Sequence, residues 1–230
     1  MYQLGRKKSR GFTLIELSLA MTFVSILLMS VALLTIQLGK LYAHGSLMKD
    51  VNQAGSELTS DMRRSISASF IDDVKYKKYT DGSGAIAICF GSISYIANSP
   101  AKLEANSAKV KYYNSSTQVH LAKVADTNSA LCLNTTAPDY LGQGAKEMLA
   151  AGSGNDRTLS VHKISDPTIL PDGNGGGLVE LSLIVGTSST AEIINDQCKP
   201  PSEAISGGEY CSVNTFTIVG RVGNTFKARE

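Results

Sequence analysis

Apolar positions are distributed very unevenly along this chain. Residues 12–38 form a nearly unbroken hydrophobic run of 27 residues in which Glu16 is the single formal charge. About 20 apolar residues in a helix cross the roughly 30 Å hydrocarbon core of a bilayer, so the run predicts a membrane-spanning helix with some tilt. Beyond it the pattern changes. Leu41, Met48, Val51, Leu58, Met62 and Ile66 recur at helical spacing among polar neighbours, which marks a helix with one apolar face. No proline and only Gly39, Gly45 and Gly55 interrupt residues 12–69. One continuous helix of roughly 87 Å is therefore expected, with residues 39–70 as the amphipathic continuation of the membrane segment.

After the helix, strand-like runs alternate with turn-rich pieces. Residues 85–97 are apolar, β-branched and aromatic and carry Cys89; residues 109–113, 118–124 and 130–133 follow, the last with Cys132. Asn114-Ser115-Ser116 reads as a hairpin connection, and residues 144–151 as a short helix. Residues 158–164, 178–185 and 215–219 read as further strands, with the glycine-rich stretch 172–177 a loop between two of them. The expected class is α+β: a long N-terminal helix laid on an antiparallel sheet, with residues 71–230 forming a globular head.

The formal net charge of +2 hides an asymmetry. Arg6, Lys7, Lys8 and Arg10 all precede Gly11, and without them 18 basic side chains face 20 acidic ones. Such a cluster beside an apolar span is a cytoplasmic retention signal. A nucleic-acid footprint would need basic residues gathered on the folded domain; Lys75, Lys77, Lys78, Lys109 and Lys111 read instead as a solvated face, and no nucleic-acid partner is expected. The basic cluster places the region beyond the helix outside the cytoplasm. There, the even count of Cys89, Cys132, Cys198 and Cys211 argues for disulfides. Four cysteines permit three connectivities. Context favours nearest neighbours, Cys89 with Cys132 and Cys198 with Cys211, the latter flanking a 12-residue loop that contains Pro200, Pro201, Gly207 and Gly208. A metal site lacks the CxxC pairs and nearby histidines it would need.

The order of features at the N-terminus is unlike that of a secretory signal, whose small-residue cleavage site follows the apolar core. Here Gly11 comes directly after the charges and before the apolar run, in Lys8-Ser9-Arg10-Gly11-Phe12-Thr13-Leu14-Ile15-Glu16-Leu17. This junction resembles the prepilin motif shared by type IV pilins, type II secretion pseudopilins and competence pseudopilins. The resemblance covers the first thirty to forty residues. It implies a leader at 1–11, cleavage between Gly11 and Phe12 by a membrane aspartyl peptidase, N-methylation of Phe12, and a filament-core helix over 12–38. It also implies that Glu16 is the assembly residue and that the head has a pilin-like fold. The implied partners are other pilin subunits, the prepilin peptidase, a membrane assembly platform and, before assembly, the lipid bilayer. The implied location is a single-pass membrane protein with an extracytoplasmic head, later a cell-surface filament. Two details resemble minor pilins and the larger pseudopilins more than major pilins: residues 28–34 lack proline, and Asp61-Met62-Arg63-Arg64-Ser65 closes the helix.

Catalytic chemistry is poorly represented. His44, His120 and His162 stand apart with no carboxylate or thiol at ligand spacing, and read as surface or packing residues. Ser160-Val161-His162-Lys163 matches a bare S-x-x-K pattern without the motifs that give it meaning. The glycines after Asp172 lack the strand–turn–helix setting of a phosphate loop. The reading is a non-enzymatic filament subunit without a cofactor. Its rivals are a secretion or competence pseudopilin, and an enzyme or binding module displayed on a pilin-type anchor.

Overall fold

A computed structural model describes residues 13–149, 158–173, 176–205 and 210–223. Helix α1 runs unbroken over Leu14–Ser67, as the absence of proline allows. The chain divides into two compact units, residues 1–42 and 43–230, and α1 contributes to both.

In the second unit, a 3-10 turn at Ile71–Asp73 leads into β1 (Val74–Lys78), β2 (Ile86–Phe90) and β3 (Ile93–Ala97). Helix α2 (Pro100–Glu104), β4 (Leu121–Ala125), α3 (Ala130–Leu133) and β5 (Lys146–Glu147) follow. Then come β6 (Leu159–Ile164), β7 (Thr168–Pro171), β8 (Gly177–Thr187), β9 (Ile193–Ile194), β10 (Gln197–Cys198) and β11 (Val213–Val222). Strands β1 to β5 form an antiparallel meander in chain order. A second antiparallel sheet has the order β11-β8-β6 with β7 also paired to β8, and β9 and β10 make a small ribbon. Where one sheet was expected, there are two larger ones.

The apolar face of α1 packs on both. Val51, Leu58, Met62 and Ile66 join Ile88, Phe90, Tyr95 and Leu121 of the meander and Leu159, Val161, Val179, Leu181, Leu183 and Ile218 of the second sheet in one core. The stripe enters one position off the expected register. Leu47 is buried (2% exposed), whereas Leu41 and Met48 are 69% and 48% exposed. A second core lies on the other face of the meander, where Ala87, Cys89, Ile96 and Ala122 meet Val110, Val119, Leu131 and Leu141. Burial on both faces explains why residues 85–97 show no alternation. Strand β8, by contrast, alternates buried and exposed positions over its first half, as a sheet with one wet face should.

Local differences from the sequence reading have identifiable causes. Residues 85–97 are a hairpin, broken at Gly91, whose φ of +65° suits the first position of a two-residue turn. Residues 130–133 form a helical turn instead of a strand, because the Asp126 carboxylate accepts hydrogen bonds from the Ala130 and Leu131 amides (2.8 and 3.0 Å). Residues 109–113 contribute only isolated bridges, Lys111 to Gln118 and Lys111 to Tyr140. The described part of 144–151 holds β5 in place of the expected helix. Both disulfides follow the nearest-neighbour pairing, Cys89–Cys132 and Cys198–Cys211.

Candidate functional site: the apolar segment of the first helix

Gly11 and Phe12, the expected cleavage and methylation positions, lie outside the described residues. The description begins at Thr13, which caps α1. The Thr13 amide and hydroxyl both donate to Glu16 Oε2 (2.9 and 2.8 Å), and the Glu16 amide approaches Thr13 Oγ1 at 3.4 Å. This reciprocal arrangement is a capping box, which satisfies amides that the first helical turn leaves without partners. Its signal, Thr-x-x-Glu directly before an apolar run, is present in the sequence but was not part of the expectation for Glu16.

From Leu14 onward the helix presents apolar side chains all round. Leu14, Ile15, Leu19, Phe23, Ile26, Leu34 and Leu38 are all exposed. Every hydroxyl between Leu14 and Leu38 bonds back to the helix itself. Ser18 donates to the Ile15 carbonyl, Thr22 to Leu19, Ser25 to Met21, Ser30 to Ile26 and Thr35 to Val31, at 2.8–3.0 Å. A surface of this kind suits hydrocarbon, where an unsatisfied polar group is costly. By length and composition α1 is able to span a membrane.

Three carboxylates of the second unit, Asp61, Glu147 and Asp81, are engaged in the fold. Asp61 on α1 accepts both contacts of the Lys123 ammonium (2.8 and 2.9 Å) and the Tyr95 hydroxyl (2.7 Å), while Tyr95 also meets Ser65 Oγ at 2.7 Å. Burial acts to raise the Asp61 pKa, but the hydrogen bonds from Lys123 and Tyr95 outweigh it and hold the group below its ordinary value. Burial, and then the Asp61 hydrogen bond, push the Tyr95 phenol up. Glu147 accepts from the Tyr112 hydroxyl and from the His120 and Leu121 amides at 2.7–3.0 Å. Its burial too is outweighed, by the His120 side chain first and then by these bonds, and its pKa is lowered. Asp81 accepts from Ser83 Oγ and amide, the Ala137 amide and Lys109 Nζ, which keep it well below the carboxylate range.

The histidines take three separate positions. His162 sits at a bulge in β6, with Nε2 2.8 Å from the Thr187 carbonyl, and burial lowers its pKa. His120 backs onto Glu147 with Nδ1 at 3.8 Å. His44, on α1, has a buried Nδ1 without a partner among the described residues. Ser160 is fully buried in β6, and Lys163 lies near Asp196 at 3.9 Å. No group of three or more potential metal ligands occurs among the described residues. Comparison with protein-family models, with curated proteins and with solved structures gave no match.

Proposed function

We propose that this chain is a structural subunit of a type IV pilus, of the minor kind, made as a precursor and assembled through its N-terminal helix. The observation that carries the reading is a coincidence at one point in the chain: a basic segment, Gly11-Phe12, and an apolar run, residues 12–38, whose single carboxylate, Glu16, is the fifth residue from the junction. The exposed apolar surface of α1 and its internally satisfied hydroxyls support it, since such a surface fits lipid before assembly and neighbouring helices afterwards.

In this reading a membrane peptidase cuts after Gly11 and leaves a new α-amine on Phe12. A carboxylate inside an apolar span costs on the order of 3 kcal/mol. Pairing Glu16 of an incoming subunit with the Phe12 amine of one already in place relieves both charges and fixes axial register. The two disulfides suit a head on the oxidising side of the membrane. The chain carries no nucleotide-binding motif, so extraction from the membrane falls to a separate assembly machine.

Mass spectrometry of the N-terminal peptide from the native cells tests the reading. A mature chain starting at Phe12, N-methylated, is expected. An intact leader favours the displayed-module reading, and a cut beyond the apolar run makes the protein an ordinary secreted one. Co-purification in quantity with long sheared surface filaments separates a pilus from a short pseudopilus.

A further inference from the structure

Strand β11 ends the second sheet, with β8 on one side and no strand on the other among the described residues. Three bonds fix which of its backbone groups face the open side. The Ser212 carbonyl, just before the strand, accepts from the Thr187 amide of β8 at 3.0 Å. The Val219 carbonyl instead accepts from Arg63 Nε of α1 at 3.1 Å, and the Gly223 amide donates to the Ser69 carbonyl at 3.1 Å. Backbone groups alternate sides along an antiparallel strand, so the odd-numbered residues of β11 point theirs outward. The Thr215 amide is met by Asn214 Oδ1 at 2.8 Å. The outward amides of Thr217, Val219 and Arg221 have no protein partner among the described residues, and all three residues are exposed.

Open strand edges invite pairing with another chain, and folded proteins usually blunt them. The other edges of the two larger sheets are blunted in this way. Strand β1 carries Lys75, Lys77 and Lys78, and α3 packs against it with Cys132 Sγ 3.5 Å from the Lys75 carbonyl. Strand β6 shifts register between Val161 and Lys163, β7 ends in Pro171, and β5 has only two residues. Strand β11 has ten residues with no proline, no lysine and no register shift.

The flank of this edge is basic. Arg63 and Arg64 line a groove of about 480 Å³ on α1 together with Ser60, Ser67 and Ala68. Neither guanidinium has a carboxylate partner among the described residues, and Arg63 reaches the edge itself through the Val219 carbonyl. Pairing two copies of this chain through β11 would set two such arginine pairs against one interface, a like-charge arrangement. No described strand of the chain carries carboxylates at alternate positions. We propose that β11 accepts an extended segment of another protein as an added strand, with Asp or Glu at alternate positions facing Arg63 and Arg64. Main-chain bonds hold such a strand and its alternate side chains select it. Its opposite face lies beside Thr217 and Val219 and suits β-branched residues. The edge belongs to the second unit, so the proposal does not depend on the reading of the N-terminal segment.

The test is NMR amide exchange on the full-length, isotope-labelled protein in dodecyl maltoside micelles. The probe is the peptide acetyl-Glu-Val-Glu-Val-Glu-Val-Glu-amide. One control replaces its glutamates by lysine, and the other N-methylates every backbone amide. Exchange at Thr217, Val219 and Arg221 should be fast in the free protein and at least fivefold slower with the acidic probe, and neither control should change it. Arg63→Gln/Arg64→Gln lies on the exposed helix face and keeps helix propensity. This variant should melt close to the parent and bind the acidic probe at least tenfold more weakly. Absence of binding at millimolar probe, binding without slowed exchange at the three amides, equal binding of the N-methylated peptide, or unchanged binding in the arginine variant each overturns the proposal. Protection of the same amides in the free protein that grows with protein concentration would assign the edge to a second copy, and that too overturns it.

Discussion

The ring of Phe216 on β11 lies directly against Gly55 of α1: a Cβ built on that glycine would stand 2.0 Å from Phe216 Cζ. Eleven residues along the same helix the roles reverse, and Ile66 covers Gly220 of β11, where a Cβ would meet Ile66 Cγ2 at 2.7 Å and Cβ at 3.1 Å. Helix and strand therefore approach closely at two points, each with a glycine on one side. The two sites should respond differently to alanine. Phe216 is half-buried and able to swing aside, and Gly55→Ala gains helix propensity of up to about 1 kcal/mol. Ile66 is fully buried and stiff at Cβ. Overpacking costs about 1–3 kcal/mol, so Gly55→Ala should be near neutral. Gly220→Ala should lose about 2–3 kcal/mol, at roughly 2–4 °C per kcal/mol for a domain of this size. Thermal melts of the two variants decide it; equal losses would mean that the strand, not the helix contact, sets the cost.

The Tyr95 hydroxyl is shared between Asp61 and Ser65 of α1, and it fastens the helix to the meander. Tyr95→Phe should cost about 1–2 kcal/mol, the usual range for a lost buried hydrogen bond. Ser65→Ala should then cost less in the Tyr95→Phe background than alone, with a coupling of at least about 0.5 kcal/mol. Additive losses in denaturant titrations would show that the two hydroxyls act independently.

These examples indicate what the sequence could and could not convey. The continuity of α1 was legible because no proline interrupts it, but periodicity alone did not decide between Leu47 and Met48 as the first buried position. That choice is made by the walls that receive the side chain. Strand β1, Val74-Lys75-Tyr76-Lys77-Lys78, was hidden by its lysines, which are common on an exposed sheet edge. Strand β7 ends in Pro171, tolerable at an edge. The Asp61–Tyr95–Lys123 cluster and the Arg63–Val219 contact join residues far apart in the chain, and no local signal announces either.

Acid should destabilise the second unit in two stages. Burial lowers the His162 pKa below its ordinary 6.5, so its contribution is complete above about pH 6.5 and declines as pH falls through the depressed folded value. Asp61 and Glu147 are held below their ordinary 3.8 and 4.5, and their contributions disappear as pH falls through those lower values. Tyrosines act at the other end. Burial, then Asp81 and Asp126, push Tyr79 up to about 12, so its contribution is full below pH 10 and lost as pH rises through about 12. Unfolding free energies measured from pH 3 to 8 should show a shallow limb from His162, absent in His162→Gln, and a steeper one from the carboxylates. A profile flat down to pH 4 in the parent would contradict the first limb.

Removing the disulfides one at a time should expose their different spans. Cys89–Cys132 closes a separation of 43 residues and Cys198–Cys211 one of 13. Chain-entropy arguments give about 4 and about 3 kcal/mol respectively. Cys89, Cys132 and Cys211 are all buried, so a serine hydroxyl is costly in either pair and the length of the closed loop decides between them. The Cys89→Ser/Cys132→Ser pair should therefore lose more stability than Cys198→Ser/Cys211→Ser. Equal melting temperatures for the two double variants would contradict this.

Glu16 has two possible employments, the cap seen with Thr13 and the intersubunit pairing proposed above, and chemistry separates them. Glutamine at the third helical position also completes a capping box, so Glu16→Gln preserves the cap but removes the charge that would meet the Phe12 amine. Thr13→Val does the opposite: it removes the hydroxyl of the cap and leaves the carboxylate. If pairing matters, Glu16→Gln subunits should be cleaved normally yet enter filaments at least tenfold less, whereas Thr13→Val subunits should enter at close to parental levels. If capping is the whole role, Glu16→Gln should assemble like the parent and Thr13→Val should be the defective one, since losing an N-cap costs about 1 kcal/mol of helix stability. Quantitative mass spectrometry of sheared filaments against the processed membrane pool reads both variants on one scale. Normal incorporation of Glu16→Gln would remove the charge pairing from the proposed mechanism while leaving the processing at Gly11 to be judged on its own evidence.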